Sequence, residues 1–291
     1  MKKKLFASVL ALAMVFSMAA CGTSSTPADS AAEPADSSKT AAEPVSGDIY
    51  VSAAASMTES LDEVIALFKE ANPDANVITT YDSSGTLKTQ ITEGADCDVF
   101  ISAAQKQMNQ MDETSEEFEG TNYVLQGSRV DLLENTCVLV TNPNGDKNIT
   151  DWQSFVTALS SAQSSDDLIF AMGNADVPVG AYTSKILTAL GLDEAALASK
   201  GIISYGSNVK EVTTQVSEGS ADCGIIYSTD AYSAGMEPAA TADSSLAGKV
   251  IYPAAVMANT KNQEAVEAFL KFLQTDEAMA CFEKVGFLAV K

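Results

Sequence analysis

The sequence predicts an α/β protein of two similar three-layer lobes with mainly parallel sheets, joined by a two-segment hinge. Three observations lead there. Short apolar runs alternate with helical patterns along the whole chain beyond residue 46. Most of these runs are continuously apolar, as in parallel strands covered on both faces. One unit of helix end, turn and strand also occurs twice. Glu93-Gly94-Ala95-Asp96-Cys97 leads into Asp98-Val99-Phe100-Ile101-Ser102, and Glu218-Gly219-Ser220-Ala221-Asp222-Cys223 leads into Gly224-Ile225-Ile226-Tyr227-Ser228.

The opening segments stand outside that pattern. Lys2, Lys3 and Lys4 precede an apolar stretch over 5–18, and Ala19-Ala20 precede Cys21, which marks 1–20 as a targeting leader. The apolar stretch is too short for a spanning helix. Met18-Ala19-Ala20-Cys21 resembles a bacterial lipobox, which implies cleavage before Cys21 and a lipid on its sulfur. The expected location is therefore the extracytoplasmic face of the cell membrane. Residues 21–46 are Ser, Ala, Thr, Pro, Asp and Glu without periodicity, a flexible linker that cannot offset its ordering entropy. Such a tether holds a folded body roughly 25–30 Å from its anchor.

About 245 residues remain, ample for two lobes. Strands are expected at 49–53, 76–80, 98–102, 137–141, 168–172, 202–205, 224–228 and 249–256. Leu61, Val64, Ile65 and Phe68 share one helical face; so do Trp152, Phe155, Val156 and Leu159, and Val209, Val212 and Val216. Gly94, Gly191 and Gly219 stand where helices should stop. Chain order assigns 47–130 plus 249–291 to the first lobe and 131–248 to the second. Closing helices at 262–274 and 276–284 pack back on the first. Two crossings make a paired hinge suited to closure around a ligand.

Composition narrows the function. The formal charge is −22, or −25 once the leader's three lysines are removed, so nucleic acid is not an expected partner. Without histidine, Ser-His-Asp and Cys-His sites and His-based metal centres are excluded. No GxxxxGK[ST] loop or strand-borne GxGxxG is present. An enzyme is not expected, nor a direct cation site. Cys97, Cys137, Cys223 and Cys281 form no CxxC pair, and the first three adjoin apolar strands, where buried free thiols are expected.

Two strand-to-helix junctions carry the chemistry. Ile49-Tyr50-Val51 runs through Ala53-Ala54-Ala55 to Ser56, with a helix beginning near Thr58. Val77-Ile78-Thr79-Thr80 leads to Ser83-Ser84-Gly85-Thr86-Leu87. A helix start offers unpaired N–H groups and partial positive charge, a seat for an anion. Taken singly, Ser56 and Ser84 read better as ordinary N-caps. In a chain with one Arg, the pair implies an oxyanion held by neutral donors.

Val51-Ser52-Ala53-Ala54-Ala55-Ser56-Met57-Thr58 and Ser83-Ser84-Gly85-Thr86-Leu87 with Gln90-Ile91 resemble motifs of bacterial molybdate-binding proteins, the solute receptors of molybdate ABC transporters. So do Asp98-Val99-Phe100-Ile101-Ser102-Ala103, Val177-Pro178-Val179-Gly180-Ala181-Tyr182, Asn208-Val209-Lys210, Gly224-Ile225-Ile226-Tyr227 and Val285-Gly286-Phe287. The likeness spans 47–291. It implies the fold of a type II periplasmic binding protein and contacts to molybdate or tungstate from Ser56, Ser84, Val179, Val209 and Tyr227. It also implies no cofactor, a permease and its ATPase as partners, and a monomer. The family commonly has Ala at Val179, where only the amide is needed, and often Ser at Gly85, where a supporting hydroxyl is lost.

Chemistry agrees with this set. Molybdate near neutral pH is a dianion offering only acceptors, and Ser O–H, Tyr O–H and backbone N–H all donate. Phosphate often keeps a proton and then needs an acceptor; Asp82 is the one nearby, expected to form a turn or face solvent. The alternatives are a receptor for sulfate or phosphate, or a surface-anchored interaction protein or enzyme of the same fold.

Overall fold

In the computed structural model, residues 44–290 are described; the expected leader, Cys21 and most of the linker lie outside them. The first lobe-sized run comprises β1 (Gly47–Ala54), α1 (Thr58–Ala71), β2 (Ala75–Asp82), α2 (Ser84–Thr92), β3 (Val99–Ile101), α3 (Gln105–Asn109) and β4 (Val130–Asn135). Then follow β5 (Cys137–Thr141), α4 (Trp152–Ser161), β6 (Phe170–Gly173), α5 (Pro178–Ala189), α6 (Glu194–Ser199), β7 (Ile203–Gly206), α7 (Val209–Ser217), β8 (Cys223–Tyr227), α8 (Ser228–Ser233), β9 (Ala240–Thr241) and α9 (Ser244–Ala247). The chain closes with β10 (Val250–Val256), α10 (Gln263–Phe272), α11 (Asp276–Lys284) and β11 (Leu288–Ala289).

These strands form two sheets, ordered β11-β4-β10-β3-β1-β2 and β7-β6-β8-β5-β9. β1 runs parallel to β2 and β3, and β6 runs parallel to β7 and β8. The remaining ladders are antiparallel, and they involve β4, β5 and β10, the strands flanking the passages between sheets. A strand arriving from the other sheet has no crossover helix of its own, so nothing forces it to run parallel. β4 hydrogen-bonds into the first sheet, so the chain passes to the second sheet at Thr136, beyond the 130/131 division expected.

Helix faces pack as the periodicity predicts. Leu61, Val64, Ile65 and Phe68 of α1 are buried, and Phe68 meets Phe269 edge-on at 5.0 Å. Val209, Val212 and Val216 of α7 are buried likewise. On α4, Phe155 and Leu159 are buried while Trp152 and Val156 are half-buried at the margin. Gly94, Gly191 and Gly219 all hold positive φ just past helix ends, where a Cβ would be strained. Cys97, Cys137 and Cys223 are buried and Cys281 half-buried, all free thiols. Burial pushes Cys97 up to about 11.

Candidate functional site

β1 ends in the small buried residues Ala53 and Ala54, which let the chain turn tightly. A 3-10 turn, Ala55–Met57, intervenes before α1, so Ser56 is not the helix N-cap. Its hydroxyl instead lies 2.7 Å from the Tyr252 hydroxyl in a buried contact. The second junction divides labour between adjacent serines. Ser83 caps α2, its Oγ accepting from the Thr86 N–H at 3.1 Å. Ser84 is thereby free of capping; its Oγ accepts from the Ala103 N–H at 2.9 Å and it is fully buried.

The second sheet supplies two more helix starts. Pro178 occupies the first position of α5, where its missing N–H costs nothing, and Val179 follows with its amide in the unpaired first turn. Asn208 caps α7 by accepting from the Glu211 N–H at 3.0 Å, which places Val209 first in that helix. Tyr227 ends β8, is fully buried, and its hydroxyl has no hydrogen-bond partner among the described residues. Its ring stands edge-on to Tyr182 and Tyr252.

Ser56, Ser84, Val179, Val209 and Tyr227 all line one small cavity where the edges of the two sheets' helices meet. The structure thus brings together residues from five separate segments. Its lining includes no Lys or Arg. Arg129 lies elsewhere, its guanidinium 3.0 Å from Asp112. Asp82 does line the cavity, half-buried, and its Oδ1 accepts from the Ser83 N–H at 2.7 Å and from Asn208 Nδ2 at 3.4 Å. It is the last residue of β2 rather than a turn former, and it bridges to the opposite wall instead of facing solvent.

Gly85 has a reason beyond a lost hydroxyl. A Cβ there would sit 2.1 Å from the Asp176 carbonyl oxygen, so the two walls touch backbone to backbone at this point. Lys210 of α7 reaches Glu59 of α1 at 2.7 Å, a second link across the cleft.

Three buried residues behind the cavity were not singled out by sequence. Tyr252 lies within the wholly buried β10, Asn135 ends β4, and Asp230 sits in the first turn of α8. A tyrosine inside an otherwise apolar run was the available signal for the first; Asn135 and Asp230 gave none. Lys210 Nζ lies 3.4 Å from Asp230, yet among the described residues neither carboxylate oxygen accepts a hydrogen bond, and burial raises this carboxyl to about 7.

A cleft between two α/β lobes, lined by serines, a tyrosine, one aspartate and converging helix starts, defines a two-lobed receptor with the fold of a type II periplasmic binding protein. The chain belongs to the bacterial extracellular solute-binding protein family, whose model matches residues 49–288. It is 32% identical over 243 residues to YvgL of Bacillus subtilis, provisionally named as an ABC transporter substrate-binding lipoprotein; the match covers 83% of this chain and 86% of YvgL. It is 31% identical to the molybdate-binding protein ModA of Haemophilus influenzae, covering 84% of this chain and 91% of that one. The fold is similar to that of the Azotobacter vinelandii periplasmic molybdate-binding protein, with a TM-score of 0.71, 21% identity and coverage of 84% and 100%.

Proposed function

We propose that this protein binds molybdate, and tungstate comparably, between its lobes and delivers it to the permease of an ABC importer driven by a cytoplasmic ATPase. In this reading 47–135 with 249–291 form one lobe and 136–248 the other. Ser56, Ser84 and Tyr227 donate through hydroxyls, Val179 and Val209 through backbone N–H. Cys21 carries the lipid that holds the receptor at the outer face of the membrane. The protein acts as a monomeric binder, without a cofactor and without catalysis.

Tyr227 carries this reading. A fully buried hydroxyl with no protein partner costs roughly 1–3 kcal/mol, which a ligand made only of acceptors recovers. Two serine hydroxyls and two helix starts share its cavity. Five charge-assisted bonds at about 1.5–3 kcal/mol each supply roughly 8–15 kcal/mol before closure and desolvation costs are met, against about −8 kcal/mol for micromolar binding. Its resemblance to molybdate-binding relatives supports the same ligand.

Asp82 on the cavity wall favours a second reading, a phosphate receptor whose ligand proton meets that carboxylate. Isothermal titration with molybdate, tungstate, sulfate and phosphate separates the two. The expected order is molybdate and tungstate together, then sulfate, whose shorter bonds leave donors out of reach. Phosphate as the tightest ligand would establish the second reading, and binding of no oxyanion would end both.

A further inference from the structure

The hydrogen bonds behind Ser56 run in one direction. Asn135 Oδ1 accepts from the Thr136 N–H at 2.8 Å and the Ser228 hydroxyl at 2.9 Å. A backbone N–H only donates, so the amide's orientation is settled and its Nδ2 must face the other way. There it donates to Thr229 Oγ1 at 3.0 Å and to the Tyr252 hydroxyl oxygen at 3.2 Å. Asn135, Tyr252 and Ser56 are all buried.

Tyr252 then has one place for its proton. Its oxygen already accepts from Asn135, and Ser56 Oγ, at 2.7 Å, is the remaining partner among the described residues. Were Ser56 to donate to Tyr252 instead, the tyrosine O–H would be left buried without an acceptor, a costly arrangement. So Tyr252 donates and Ser56 accepts, which leaves the Ser56 proton for the cavity. Tyr252 keeps its proton, because burial raises its ionisation well above the usual tyrosine range. The ladder between β10 and β4 is irregular at Tyr252 and Pro253, where proline has no N–H to pair, and such breaks re-aim neighbouring side chains. Ser84 is committed in the same sense by a different device, the Ala103 N–H on its oxygen.

We propose that Tyr252, held by Asn135, is a positioning residue that commits Ser56 to donating, so that the cleft disfavours tetrahedral oxyanions that still carry a proton. This deepens the oxyanion reading above and rests on it. An acceptor-only anion receives both serine protons. A protonated anion brings a hydrogen towards two hydroxyl oxygens that each already accept one bond and whose protons face the anion, which leaves Asp82 as the better acceptor on the wall.

Sulfate and phosphate above the second ionisation of phosphate isolate the effect. Both are then dianions of nearly one size, and phosphate alone retains a proton. Displacement of molybdate by each, followed by calorimetry, gives a phosphate-to-sulfate affinity ratio. In Tyr252→Phe the freed Ser56 oxygen can accept, so that ratio should rise about threefold to tenfold while molybdate binding weakens by a similar factor. Asn135→Asp offers an acceptor where Nδ2 stood, turns the Tyr252 proton away from Ser56, and should raise the ratio further. It is the second test should Tyr252→Phe fail to fold, as judged by its melting transition. If the folded variants bind all anions more weakly at an unchanged ratio, Tyr252 is only structural and the proposal is overturned. A wild-type protein that binds no oxyanion removes the functional reading and this one with it, whereas an unchanged ratio with intact molybdate binding overturns only this one.

Discussion

On the wall built by the first sheet, the candidate donors are side chains, Ser56 and Ser84, each buried and each with its oxygen held from behind. On the wall built by the second sheet, two of three are backbone amides at helix starts, where the side chains of Val179 and Val209 only fill core. The first wall therefore depends on residue identity and the second on chain geometry. The second wall also carries the more exposed risk. It keeps the Tyr227 hydroxyl and, behind it, the Asp230 carboxyl, both without a hydrogen bond among the described residues.

Pulling the walls apart should have the largest effect. Gly85→Val leaves α2 able to form, since Gly85 does not hold a positive φ, but sets side-chain atoms where the Asp176 carbonyl lies 2.1 Å from the Cβ position. The second wall's donors then cannot reach an anion seated on the first. Molybdate affinity should fall about a thousandfold, as three charge-assisted bonds are lost. Calorimetry checks it, and wild-type affinity would mean that the walls need not touch.

The next test concerns the second wall alone. The Asp230 carboxyl rises from 3.8 to about 7 through burial. Between those values the folded protein holds a proton that the unfolded chain has released. Stability therefore falls as pH rises through that window and levels off above it. Asp230→Asn should match the wild type below about pH 4 and exceed it by up to about 4 kcal/mol above pH 7. Urea midpoints across that range would reveal the slope; parallel profiles would mean that Lys210 compensates the charge in full.

The sharpest contrast between walls is smaller in size. Asn208 is extended, with φ −154° and ψ 172°, as the residue before a proline should be, so Val209→Pro deletes one amide donor while keeping the helix start. It should weaken molybdate binding roughly tenfold to a hundredfold, and Val209→Ala hardly at all. Ser84→Ala on the first wall should lose about as much affinity as Val209→Pro and, unlike it, lower the melting temperature by stranding the Ala103 N–H. Equal tolerance of Val209→Pro and Val209→Ala in titrations would dissolve the distinction between the walls.

Local pattern explains which features could be read early. Continuous apolar runs located β1, β5, β8 and β10 because those strands are covered on both faces, β10 along its whole length. β4, with Asp131 and Glu134 among its leucines, and the two-residue β9 and β11 lack that pattern and went unseen. Ser56 and Ser84 were visible as hydroxyls at strand-to-helix junctions. Their caps were not assigned correctly, because whether Ser83 or Ser84 takes that role depends on backbone angles one residue apart.

By itself the sequence determined the α/β alternation, the helix faces and the absence of histidine chemistry, since periodicity and composition are properties of neighbouring residues. Tertiary structure alone decided that Tyr252 and Asn135 stand behind Ser56, that Gly85 must lack a side chain, and that β4 belongs to the first sheet. Those facts arise from pairs such as Ser56 and Tyr252, 196 residues apart along the chain, whose meeting is set by how two sheets pack and which no local pattern records.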